Sequence, residues 1–149
     1  MDKKPSQQKV VDDIYLFLRT IYHYERNIAA RFGLDYQEIY LLQNLRRVSP
    51  QRLTEIARVL DIPMFSASRL VERLVQKKLI TKEKGVEDRR SISVSLLPEG
   101  EKVVGLVEQD SYERIMDSAK EMSKEDFASL LQMSERLHQV LGVSKSVIQ

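Results

Sequence analysis

Two helix signals set only about three residues apart constrain this chain more than any other feature. The first is "SPQRLTEIARVL" at 49–60, where Leu53, Ile56, Ala57 and Leu60 form an i, i+3, i+4, i+7 stripe. Ser49 can accept from free amides and Pro50 suits the first helical position, so this helix is expected to open there. The second is "PMFSASRLVERLVQKK" at 63–78. At about 100° per residue, Ala67, Leu70, Val71 and Leu74 fall on one arc of it. Ser66, Arg69, Arg73, Gln76 and Lys77 fall on another, roughly 120° away. The first arc is core. The second combines hydroxyl, guanidinium and amide, the chemistry that reaches phosphates and base edges in a major groove.

A hairpin follows directly. "LITKEK" at 79–84 and "SISVSL" at 91–96 read as paired strands, with Ile92, Val94 and Leu96 facing one way and Ser91, Ser93 and Ser95 the other. Its tip carries Glu87, Asp88, Arg89 and Arg90, and Gly85 is expected to supply a positive φ in the turn.

Longer helices flank this unit. Val10, Ile14, Phe17, Leu18, Ile21 and Ile28 predict a helix over about 6–32 that stops at Gly33. Asp35 three residues before Glu38 is a capping-box start for a helix bearing Ile39, Leu42 and Leu45. Pro98 begins another through about Ala119, and Ser123 with Asp126 caps a last one that Gly142 closes. The expected order is α-α-α-α-β-β-α-α. The first and last two helices carry more apolar surface than one small core can cover, which predicts a homodimer built from the two ends of the chain.

At 149 residues the chain is read as one domain with a sizeable core. Residues 46–90 hold 12 Lys and Arg against 6 acids, a net +6 that leaves −4 elsewhere in a chain of net +2. A basic middle between acidic ends fits a nucleic-acid-binding segment; a solvated helical face would show the same charge. No apolar run reaches the length of a membrane span, and "MDKKPSQQ" has no signal-peptide core. Zero cysteines exclude disulfides and thiolate metal sites, and a cytoplasmic location is expected. His23 and His138 lie far apart, so no metal site is expected. With no phosphate loop and no nucleophile–base pairing, neither enzymatic activity nor a cofactor is expected.

The stretch "LTEIARVLDIPMFSASRLVERLVQKKLITKEKGVEDRRSISVSLLPEG", with Asp88-Arg89-Arg90 at the hairpin tip and "S-x-S-R-L-V-x-R-L" at 66–74, resembles the MarR-type bacterial winged helix-turn-helix regulators. The resemblance implies a mainly α fold with a small β-hairpin wing. Residues 1–149 would form one domain, with a DNA-binding lobe at 34–97 and dimerisation helices at 6–32 and 98–142. It further implies a homodimeric regulator of double-stranded DNA, in the family more often a repressor, on an inverted-repeat operator. The 63–78 helix would enter the major groove, with Ser66, Ser68, Arg69, Arg73 and Lys77 facing bases or phosphates. Arg90 would enter the minor groove, held by Asp88, with Arg89 on a phosphate or in water. A winged helix that binds protein instead of DNA is the alternative.

The resemblance also implies a small-molecule effector near the first two helices. Tyr36 and Tyr40 suit such a pocket, although tyrosines are equally ordinary core and interface residues. Several positions depart from the family pattern. Asp61 stands where glycine is frequent, and Leu97 replaces a capping Thr. Phe65 stands where polar residues are common, and is read either as a contact to a thymine methyl or as a staple of the helix start.

Overall fold

The computed structural model describes residues 4–88 and 90–145. Arg89, one of the expected site residues, lies outside them. Within them the order is α1 (Gln7–Arg31), α2 (Tyr36–Arg47), β1 (Gln51–Arg52), α3 (Leu53–Val59), α4 (Met64–Gln76), β2 (Ile80–Lys84), β3 (Ile92–Leu96), α5 (Pro98–Ala119) and α6 (Lys124–Val140). The helices open where their caps predict. Ser6 Oγ accepts the Lys9 amide at 3.2 Å, and Ser123 Oγ accepts that of Asp126 at 3.0 Å. The Asp35–Glu38 capping box is complete, each side chain taking the other's backbone amide at 2.8 and 3.0 Å.

One start differs from expectation. Ser49 and Pro50 do not open α3. Gln51 and Arg52 instead pair with Val94 and Ser93 as β1, and Ser49 Oγ accepts the Leu96 amide at 3.0 Å. Helix α3 begins at Leu53 behind Arg52, with no side-chain cap. The residues that were expected to open the helix pair instead with a strand far along the chain. The result is a three-stranded antiparallel sheet in the order β1-β3-β2, with Ile80 opposite Leu96 and Lys84 opposite Ile92.

Among the described residues, α1, α3, α4 and α6 close through a residue of positive φ: Gly33 (65°), Asp61 (50°), Lys78 (59°) and Gly142 (69°). The following amide then returns to the last turn, as Leu79 N–H does to Leu74 O at 3.1 Å. Gly85 does not have the expected positive φ. A Cβ there would meet the Ser91 hydroxyl and come within 2.6 Å of Asp88 O, so it is a close approach of chain to chain that demands glycine.

The core lies between α2, α3, α4 and the sheet. Leu41, Leu42, Leu45, Ile56, Leu70, Leu74, Ile80 and Val94 are fully buried, each contributing about 1.5–3 kcal/mol by leaving water. Arg46 ties α2 to α5 through Glu101 and Glu108 at 2.9 and 2.5 Å. The ends of the chain are different. Helix α6 buries no residue, and α1 buries only Ile28 and Ala29. Leu130, Leu131 and Met133 on α6, and Val10, Tyr15, Leu16 and Leu18 on α1, stand exposed. No described helix is long and apolar enough to cross a membrane.

Candidate nucleic-acid interface

Helix α4 docks by one face. Ala67, Leu70, Val71 and Leu74 are all buried, as their arc predicts. Diametrically opposite runs a row of Phe65, Arg69, Glu72 and Gln76, all exposed, at the i, i+4, i+7, i+11 spacing of one helix face. Glu72 pairs with Lys82 of β2, which fixes the row's orientation to the hairpin. Ser66 and Ser68, half-buried, lie on the two flanks of that row.

Two of the expected DNA contacts are already engaged within the chain. Arg73 donates through Nε to Glu38 at 3.1 Å and through Nη2 to Asp35 at 2.9 Å. Lys77 reaches Glu38 at 2.7 Å and the Gly33 carbonyl at 2.9 Å. Glu38 is only 1% exposed, yet burial, which pushes its pKa up, is outweighed by Lys77, the Asp35 amide and Arg73. The carboxyl is held below the ordinary glutamate value. Helix α4 is therefore clamped to the start of α2 along one flank. The pattern reading sees Glu38 only as half of a capping box; nothing local indicates that its partners lie on another helix. Arg69, by contrast, has no ion-pair partner among the described residues.

At the hairpin tip, Asp88 Oδ1 accepts the Arg90 backbone amide at 2.9 Å, and Asp88 O accepts both the amide and the hydroxyl of Ser91, at 2.9 and 2.8 Å. Asp88 thus holds Arg90 through the main chain. An aspartate two residues ahead is well placed to bond the backbone in this way, and no ion pair joins the Asp88 and Arg90 side chains among the described residues. The Arg90 side chain is exposed. Arg69 and Arg90 are the two described guanidiniums of the expected set that are left unpaired.

Tyr36 and Tyr40 pack edge to face at 6.0 Å, and the Tyr40 hydroxyl bonds Glu25 of α1. Burial raises the Glu25 pKa. Neither tyrosine lines the groove of about 420 Å³ between α1, α5 and α6, whose walls include Tyr24, Ile28, Arg31, Ile115, Met122 and Phe127. Among the described residues no group of three or more His, Asp and Glu could hold a metal ion.

Residues 32–91, from the end of α1 through the hairpin tip, match the MarR family model. Over that segment the chain is similar to the MarR family. Its match to the uncharacterized HTH-type transcriptional regulator YpoP of Bacillus subtilis is 25% identical over 128 residues, 84% of this chain and 91% of that protein. To the HTH-type transcriptional repressor MdtR of B. subtilis it is 25% identical over 100 residues, 64% of each chain. The fold matches that of RV1404 from Mycobacterium tuberculosis with a TM-score of 0.75 at 20% identity, covering 95% of this chain and 99% of that one. The matched segment takes in α2, α3, α4, β2 and the tip of the hairpin.

Proposed function

We propose that this chain is a DNA-binding transcriptional regulator of the MarR family and acts as a homodimeric repressor on an inverted-repeat operator. Each α4 enters a major groove, and each wing carries Arg90 into the flanking minor groove. The observation that carries this reading is the sorting of cations. Arg73 and Lys77 are consumed in clamping α4, whereas the Arg69 and Arg90 side chains stand exposed and without an ion-pair partner among the described residues. A guanidinium left in water on a reading surface is free for a guanine edge, a phosphate or a narrow minor groove. Arg89 then grips a phosphate beside the groove. Ser66 and Ser68 supply hydroxyls at the flanks, and Arg73 and Lys77 act chiefly by holding the helix.

The bare apolar faces of α1 and α6 support the dimer, since a two-fold interface lets each bury its twin. Two copies would place half-sites about one helical turn apart. The repressor assignment follows the relative MdtR. We assign release by an apolar effector to the groove walled by Ile115, Met122 and Phe127, and not to Tyr36 and Tyr40, which do not line it. Fluorescence anisotropy on an operator selected from random DNA tests the reading. Affinity should fall steeply with salt as phosphate contacts are lost. A flat response would point to a protein partner instead.

A further inference from the structure

We infer that Phe65 reads the 5-methyl group of a thymine in each half-site and so sets part of the operator's sequence; the inference rests on the DNA-binding reading above. Phe65 is the second residue of α4 and is 66% exposed. Leaving a phenyl ring in water forgoes the stabilisation that its neighbours on the inner face receive. A packing role at the helix start does not account for it. With Pro63 as N-cap, the staple positions are Ile62 before it and Ala67 in the first turn; Ile62 packs against the core and Ala67 is fully buried. Phe65 is on the other side of the helix, opposite the buried arc and on the same row as Arg69.

That row is where a recognition helix presents its first turn to base edges. The major groove displays donors and acceptors, and one apolar group, the thymine methyl. A phenyl ring at that edge therefore selects thymine over the other bases by burying its methyl. Arg69, one turn further along the same row, is unpaired and suited to the O6 and N7 acceptors of guanine. Four residues of helix advance about 6 Å, close to two base steps. The pair reads a thymine and a guanine within about two base steps of each other.

The test uses the full-length protein and an operator recovered by selection from random DNA. Each thymine is replaced in turn by deoxyuridine, which removes only the methyl and keeps every hydrogen-bonding atom. Anisotropy titrations should show affinity falling about fourfold per half-site at one thymine, the loss expected for one buried methyl-sized group. Phe65→Ala should bind thymine and deoxyuridine operators equally and keep the melting temperature of the parent. Parent protein indifferent to deoxyuridine everywhere, or Phe65→Ala keeping the parent's sensitivity, overturns the inference while leaving DNA binding intact. Recovery of no DNA at all would sink the DNA-binding reading itself.

Discussion

Replacing Glu38 by Gln isolates the clamp between α2 and α4 with almost no change of shape. Glu38 accepts three donors, the Asp35 amide and Lys77 on one oxygen and Arg73 on the other. A glutamine offers one acceptor and turns an NH2 towards whichever donors face the other position, so at least one charged hydrogen bond is lost. Such bonds contribute about 1.5–3 kcal/mol each. The Arg73 and Lys77 side chains are 44% and 37% exposed, so they can turn back to water, which discounts the loss. The expected cost is about 2 kcal/mol, or a melting temperature lower by about 4–8 °C at fixed protomer concentration.

The pH dependence makes the assay specific. The Glu38 carboxyl titrates below its ordinary value in the folded chain. Its stabilisation is therefore fully present above the unfolded value of about 4.3, and is lost as pH falls through the folded one. Denaturant or thermal unfolding of parent and Glu38→Gln should differ at neutral pH and converge in acid. Identical stability at neutral pH, or a gap that persists undiminished in acid, would refute the clamp.

Arg90→Ala should weaken operator binding about tenfold and flatten the salt dependence by about one phosphate per subunit, with the dimer intact in sedimentation; unchanged affinity would remove the wing from the interface. Lys78→Gly should stabilise by about 1 kcal/mol, since Lys78 holds a positive φ at the end of α4 where glycine carries no Cβ penalty; a lower melting temperature would show that its side chain matters more. Truncation after Lys120 removes α6 and should leave aggregates or unstable monomers by sedimentation. A stable monomer would refute the proposed interface.

The helices and the hairpin were legible because their signals are local. The Asp35–Glu38 box, Pro98 and Ser123 act within a turn of themselves, and each starts its helix where the pattern says. Gly33 and Gly142 likewise mark their helix ends. Ser49 and Pro50 carry an equally good local signal, and it fails. The two residues after them are claimed by β3, and a strand of two residues has no periodicity to read. Gly85 shows the same limit. A glycine in a turn suggests a positive φ, but what demands it is the approach of Ser91 and Asp88 from the returning strand.

The candidate site was legible as a face, but its roles were not. Arg69 and Arg73 are the same residue type one turn apart on one helix, and a wheel of about 100° per residue puts both on the polar arc. Arg73 sits about 40° nearer the flank that α2 covers, where Asp35 and Glu38 wait; Arg69 sits nearer the outward pole, where no described residue pairs with it. A buried carboxylate needs a cation, so Glu38 decides which arginine becomes structure and which stays free. The same rotation moves Phe65 from the edge of the polar arc to its centre. The outward pole of the recognition helix is thus a phenyl and a guanidinium, an apolar and a cationic group side by side. That pairing suits base edges better than phosphates, because a phosphate has nothing to offer the ring.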